Sequence, residues 1–289
     1  MADDTMQMQR WELKYLISEE TALRLRDFVS TYLELDEYGV GRPNLSYIIH
    51  NLYLDSDLLD IYWGTINGNK NRYKLRLRFY EDNPTSPIFF EIKRRMNEAI
   101  LKQRAGIQRT AVEAVLSGQL PAVSELVKED ARQLVAAQRF VKLMTETRSH
   151  PVAHVYYERE AWISPYDNSV RITFDRNVQI SPEFVTRFSP QMDDPVGVFR
   201  GRVVLELKFT GRFPEWFSEM VRIFGLRQGS ASKYADGIAA KGECYFYSGS
   251  LPLQQASEAQ ANEQRKALRK NRLSALLDGG LQGLDSRLH

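Results

Sequence analysis

The sequence predicts an α+β fold: antiparallel strands, ionic on one face and apolar on the other, with helices packed on the apolar side. Three observations lead there. First, Arg72 to Phe79 alternates strictly, with Arg72, Lys74, Arg76 and Arg78 on one side and Tyr73, Leu75, Leu77 and Phe79 on the other, the two-residue period of a half-buried strand. Second, the same split of ionic and apolar positions recurs, giving at least six such strands along the chain. Third, each intervening helix carries one apolar stripe, and the apolar strand faces are the only large partner available to cover it. The ionic faces are left on the side away from the helices. Four like charges about 7 Å apart repel by about 2 kcal/mol per adjacent pair at an effective dielectric of about 20. No fold gains from that unaided.

The elements follow in order. Arg10 to Leu16 is a strand with Trp11, Leu13 and Tyr15 on one face and Arg10, Glu12 and Lys14 on the other. Ser18 caps a helix whose first turn holds Glu19 and Glu20 and whose stripe is Leu25, Phe28, Val29, Tyr32 and Leu33. Tyr47 to Asp55 is a strand, Asn67-Gly68-Asn69 turns into the cationic strand, and Asn83-Pro84 turns the chain back antiparallel. Ile88 to Lys93 returns with Glu91 and Lys93 on one face, and Ala99 to Ile107 carries Lys102 and Arg104. A short helix over Arg109–Ser117, closed by Gly118, precedes a longer one over Val123–Thr147. Val155–Trp162, Val170–Asp175 and Val203–Phe209 are strands bearing Tyr157 and Arg159, Arg171, Thr173 and Asp175, and Glu206 and Lys208. Pro214 opens a helix that Gly225 ends, and Ser232-Lys233-Tyr234 enters another.

Composition bounds the function. With 289 residues, 43% hydrophobic and 26% charged, the chain can bury a substantial core and is neither disordered nor fibrous. Net charge is only +2, yet Lys70 to Arg109 holds eleven Lys or Arg against four Asp or Glu, a local cationic field that the total hides. The single cysteine, Cys244, excludes an intrachain disulfide and a Cys-rich metal site, and is expected as a buried thiol in a reducing cytosol. No apolar run approaches the ~18 residues of a membrane span, and the N-terminus lacks a leader pattern, so a cytoplasmic protein without membrane insertion is expected. No Gly-rich phosphate loop is present. His50, His150, His154 and His289 show no metal spacing.

An open sheet would leave the ionic faces to water. A closed barrel would turn them into a lumen lined by Lys14, Arg76, Arg78, Lys93, Arg159, Arg171 and Lys208, with Glu91 and Glu206 among them. A lumen so lined is costly unless a polyanion fills it, because each desolvated ion loses several kcal/mol of hydration. Phosphate chains meet that need: Arg forks grip phosphate oxygens in pairs, Lys supplies point charges, and the embedded carboxylates would hold a divalent metal bridging phosphate oxygens. Nucleic acid is disfavoured, since the strand aromatics lie opposite the cations and cannot stack on bases beside them.

In order, Glu12-Leu-Lys14-Tyr, Leu52-Tyr53-x-Asp55, Lys74-x-Arg76-x-Arg78, Phe90-Glu91-Ile-Lys93, Lys102-x-Arg104, Tyr157-x-Arg159, Val170-Arg171-Ile-x-Phe-Asp175, Leu205-Glu206-x-Lys208 and Ser232-Lys233-Tyr234 resemble the catalytic domain of the vacuolar transporter chaperone (VTC) polyphosphate polymerases, a family of triphosphate tunnel metalloenzymes. The resemblance runs from about Arg10 to Tyr234. It implies a closed antiparallel eight-stranded tunnel with helices outside, ATP as donor, inorganic polyphosphate as acceptor, and manganese or magnesium as cofactor. It implies that Lys14, Arg76, Arg78, Lys93, Arg159, Arg171 and Lys208 act on the transferred phosphates. Lys102, Tyr157, Ser232 and Lys233 would bind phosphate or nucleotide, with Tyr157 stacking on adenine or lying in the core, and Glu206 would bind the metal. Glu91 either joins the metal or orients Lys93. Arg10 stands where triphosphatases of the superfamily begin Glu-x-Glu-x-Lys, which favours the polymerase branch over a metal-dependent tripolyphosphatase or nucleoside triphosphatase; a non-catalytic polyphosphate-binding module is the third reading. The expected organisation is a catalytic domain over 1–250 and a charged helix and tail over 251–289. The membrane segments of the eukaryotic family members are absent, so any membrane partner is expected to be a separate chain.

Overall fold

The computed structural model describes residues 10–247, except Glu98, Tyr166 and Asn168, and their side chains except those of Arg10 and Ala99; the helix expected beyond residue 250 lies outside the described residues. The elements are β1 (Arg10–Ile17), α1 (Glu19–Val29), β2 (Glu34–Leu35), β3 (Ser46–Asp55), α2 (Asp60–Ile66), β4 (Asn71–Phe79), β5 (Ile88–Met96) and β6 (Ala99–Ile107), then α3 (Val112–Leu116), α4 (Ala131–Glu146), β7 (His150–Ile163), β8 (Val170–Pro182), β9 (Val196–Gly197), β10 (Val203–Thr210), α5 (Glu215–Ile223) and α6 (Lys233–Lys241).

Eight strands share one antiparallel path, β1-β10-β8-β7-β3-β4-β5-β6, with β2 paired to β7 and β9 to β8 off it. Its ends, β1 and β6, do not hydrogen-bond to each other, so the closed barrel expected from the sequence is corrected to a sheet whose ladder stays open. Both edges are partly covered. Gly229 N donates to Lys14 O at 2.9 Å on β1, and Val127 N donates to Gly106 O at 2.9 Å on β6, which blunts two rows of otherwise free backbone groups. Val127 approaches so closely that a Cβ on Gly106 would meet its Cγ2 at 2.9 Å; glycine is what lets this segment lie on the edge.

Strand alternation sorts side chains as the sequence predicts. Leu75, Leu77 and Phe79 of β4 are buried with Phe90 of β5 and Phe140 of α4 in one core, where the Phe90 and Phe140 rings meet edge to face at 4.9 Å. A second core joins β1, β8 and β10 to α1 and α5 through Tyr15, Leu25, Phe174, Leu205 and Phe217. Ser18 caps α1 by accepting from Thr21 N at 3.1 Å, and Ser232 caps α6 while its own N–H donates to Asp236 at 2.8 Å, a reciprocal cap that fixes this helix start.

Three local expectations are corrected. The helix expected over Val123–Thr147 is a 3-10 turn, Val123–Glu125, then α4 from Ala131. Asp130 caps α4 by accepting from Arg132 N at 2.9 Å, and Leu126 and Val127 pair with β6 instead. α2, in a stretch to which the sequence assigns no element, starts where Asp55 accepts from the N–H groups of Ile61 and Tyr62, each at 2.8 Å. β7 and β8 extend well past their predicted ends. Cys244 is exposed rather than buried.

Candidate phosphate-binding site

All eight strands of the path send side chains into one cavity of about 1060 Å³, lined by Lys14, Arg76, Arg78, Lys93, Lys102, Tyr157, Arg159, Arg171, Glu206, Lys208, Ser232 and Lys233, whereas Glu91, also expected in the lumen, lies behind its lining. Twelve Lys or Arg line it against five Asp or Glu, so the wall carries a large positive excess that no protein group in it neutralises.

The carboxylates organise the cations into clusters. Glu206 on β10 is 4% exposed and lies 2.6 Å from Lys208 Nζ, 3.0 Å from Lys14 Nζ, 3.3 Å from Lys233 Nζ and 3.8 Å from Arg159. Burial opposes its ionisation, yet Lys14, Lys208, Lys233 and Arg159 together hold its carboxyl well below the usual range. Glu91 on β5, 1% exposed, does the same on the opposite flank: Arg76 at 2.6 Å, Lys102 at 3.2 Å, Arg104 at 3.5 Å and Arg78 at 3.6 Å surround it and outweigh its burial. Glu91 has no ion pair to Lys93, so the orienting role expected for it falls on Arg76 instead.

Lys93 bonds Glu12, at 3.0 and 3.1 Å. Burial lowers this ammonium to about 8, with Glu12 only partly offsetting it. Asp175 takes a two-pronged bond from Arg159, at 2.6 and 2.8 Å, and an ion pair from Lys233 at 2.6 Å. Arg171 donates to Asp36 at 2.7 Å.

Tyr157 does not fit the stacking role. It is 1% exposed, with Arg159 and Lys233 against its ring at 5.2 and 4.8 Å, and its hydroxyl accepts from Arg78 at 3.3 Å. Burial opposes ionisation of that phenol, but Arg78 and Arg159 bring it down to about 8.

Lys74 and Asp36 are among the lining residues that carry no assignment from the sequence. Lys74, on the same face of β4 as Arg76 and Arg78, donates to Ser232 Oγ at 2.6 Å and has no carboxylate partner among the described residues. Burial, reinforced by Lys14, Lys93, Arg72 and Arg76, pushes its ammonium well below the usual value. The strict alternation of β4 already marked Lys74 for this face. Asp36, which pins Arg171, lies in a loop with no periodic signal.

Among the described residues no three His, Cys, Asp or Glu converge as a metal cage. Glu206 and Glu12 do share Lys14, at 3.0 and 3.3 Å. One or two carboxylates facing a phosphate cavity is the donor set from which magnesium-type ions complete their shell with phosphate oxygens and water, so the residues fit a divalent metal that arrives with phosphate.

An α+β antiparallel sheet wrapped around a cation-rich cavity defines the class. The family profile of the VTC domain matches residues 9–241, and the chain belongs to that family. It is 25% identical over 193 residues to the vacuolar transporter chaperone complex subunit 4 of Schizosaccharomyces pombe, a match covering 60% of this chain and 26% of that relative; the chain therefore aligns with about a quarter of the curated relative's length. Among solved structures it is similar to a candidate adenylate cyclase of Bacillus halodurans (TM-score 0.44, 15% identity, 78% of this chain and 96% of that chain) and to a protein of Pyrococcus horikoshii OT3 (TM-score 0.41, 14% identity, 81% and 99%). No helix among the described residues is long and apolar enough to cross a membrane.

Proposed function

We propose that the chain is an ATP-dependent polyphosphate polymerase that moves the terminal phosphoryl group of ATP to a growing inorganic polyphosphate chain inside a cation-walled tunnel. The observation that carries this reading is the excess of twelve Lys or Arg over five Asp or Glu around one cavity, joined to membership of the VTC domain family. A string of phosphates is the ligand that neutralises such a wall along its length.

Transfer breaks the bond between the β-phosphate bridging oxygen and the γ-phosphorus, releasing ADP, and forms a bond from a terminal oxygen of the polymer to that phosphorus. Such chemistry needs alignment and charge stabilisation more than a protein nucleophile. Arg76, Arg78, Arg159 and Arg171 would grip phosphoryl oxygens with paired N–H donors. Lys14, Lys93, Lys208 and Lys233 would neutralise charge on the chain, and Lys102 and Ser232 would contact it at the flanks. Glu91 and Asp175 hold Arg76 and Arg159 in place, so the forks are set before the ligand arrives. A bound Mn2+ or Mg2+, held by Glu206 with Glu12, would add further charge stabilisation on the phosphates. Residues 1–250 would form the catalytic unit of a cytoplasmic enzyme, and any membrane partner would be a separate chain.

Incubation with ATP and Mn2+ tests the reading on a polyphosphate gel. Long chains support it. Orthophosphate alone makes the protein a triphosphatase, and tight polyphosphate binding without ATP turnover makes it a non-catalytic binding module.

A further inference from the structure

The cavity also has a mouth at which aromatic rings meet the cations. Tyr38, Tyr47, Tyr80, Phe89 and Trp11 all line it, but they are not equivalent. Arg104 covers the Phe89 ring at 3.6 Å, and Tyr47 packs on Tyr38 with centroids 5.8 Å apart. Tyr38 is 61% exposed and Trp11 38%, so Tyr38 offers the larger free ring surface.

Tyr38 is also tied to the phosphate groups. Asp36 Oδ1 accepts from Tyr38 N at 3.1 Å, while Asp36 Oδ2 accepts from Arg171 at 2.7 Å. Asp36 N in turn donates to Ala161 O of β7 at 2.8 Å, which fixes the turn Glu37–Gly39 to the sheet. One buried carboxylate therefore sets the position of both a cavity guanidinium and an exposed ring. Tyr47 reinforces the link, its hydroxyl accepting from Arg171 at 3.4 Å. A ligand with phosphates on Arg171 would carry any attached nucleoside out toward this ring.

We propose that Tyr38 is the stacking platform for the nucleobase of the donor nucleotide, resting on the reading of this cavity as a nucleotide-phosphate site. The ring comes from the turn Glu37–Gly39 and not from a strand of the sheet. An aromatic face accepts any base, so the platform would raise affinity for nucleoside triphosphates as a class rather than select adenine. Inorganic tripolyphosphate has the phosphates without the base and reports on the cationic wall alone.

Calorimetric titration of ATP and of tripolyphosphate into wild type, Tyr38→Ala, Tyr38→Phe and Trp11→Ala separates the contributions. Tyr38→Ala should weaken ATP by about tenfold, leave tripolyphosphate within about twofold, and be rescued by Tyr38→Phe. The proposal is overturned by equal losses for both ligands, by no loss for either, or by a selective ATP loss in Trp11→Ala that Tyr38→Ala lacks. A wild type that binds tripolyphosphate but not ATP removes the donor-nucleotide reading itself, and the base platform with it.

Discussion

Lys93 Nζ donates to both carboxylate oxygens of Glu12, at 3.0 and 3.1 Å, joining β5 to β1 near the two ends of a sheet whose hydrogen-bonded path does not return on itself. Glu12 also lies 3.3 Å from Lys14. Burial and Glu206 oppose ionisation of Glu12, yet Lys93, Lys208 and Lys14 bring its carboxyl down to about 2. The carboxylate therefore competes with an incoming phosphate for the same cations. Glu12→Gln should tighten tripolyphosphate by about fivefold in low salt without divalent metal, because one negative charge leaves the wall. Weaker binding in calorimetry would instead mean that the ion pair holds the cavity in shape.

Arg76 and Glu91 make a pair of the opposite kind. Glu91 is essentially dry, with Arg76 Nε at 2.7 Å and its terminal nitrogen at 2.6 Å. Arg76→Met leaves a buried carboxylate short of its nearest counter-ion and should cost about 3 kcal/mol of stability in urea unfolding. A loss below about 1 kcal/mol would show that Arg78, Lys102 and Arg104 suffice for Glu91 and that Arg76 is free for ligand.

A cavity with so many unmatched cations should gain stability when a polyanion enters. Tripolyphosphate at a hundred times its Kd should raise unfolding free energy by about 2.7 kcal/mol, and the gain should shrink as NaCl rises and screens the wall. A thermal midpoint that ignores tripolyphosphate at low salt contradicts the site.

His50 and His154, both 2% exposed, lie with ring nitrogens 3.0 Å apart on the core side of β3 and β7, a meeting that no spacing in the sequence marks. Burial lowers His50 to about 4, and burial with His50 and Arg187 lowers His154 to about 3, both below the unfolded value of about 6.5. Unfolding therefore takes up protons below about pH 6.5. Stability is full above that pH and falls as pH drops toward 4, by up to about 1.4 kcal/mol per group per pH unit. Urea midpoints between pH 7.5 and 5 should fall less steeply in His154→Gln than in wild type; parallel slopes would assign the acid sensitivity elsewhere.

Much of the site was legible because strand alternation is a two-state code. Once Leu75 and Leu77 are assigned to the core, Lys74, Arg76 and Arg78 must share the other face, and the same holds for Lys14 on β1 and Lys208 on β10. Open closure was not legible, since backbone pairing between β1 and β6 leaves no periodic trace in either strand. Tyr157 shows the limit of the code: alternation puts it beside Arg159 but does not reveal that Arg159 and Lys233 crowd its ring. Asp36 and Tyr38 escaped because loop residues carry no period, although an Asp two residues before Tyr38 is the pattern of a side chain capping its own turn. The helix over Val123–Thr147 was overextended because Leu126 and Val127 have helix-compatible spacing to Leu134, while the edge of β6 recruits them as strand.

Cations gathered from seven strands and the start of α6 line one cavity and should hold a chain of phosphates there. A crystal structure with tripolyphosphate measures that directly. Phosphate oxygens should lie within hydrogen-bonding distance of Arg76, Arg78, Arg159 and Lys233 inside the cavity, with Glu91 and Asp175 still holding their arginines. Tripolyphosphate bound on the exterior, with those guanidinium groups untouched, would contradict it.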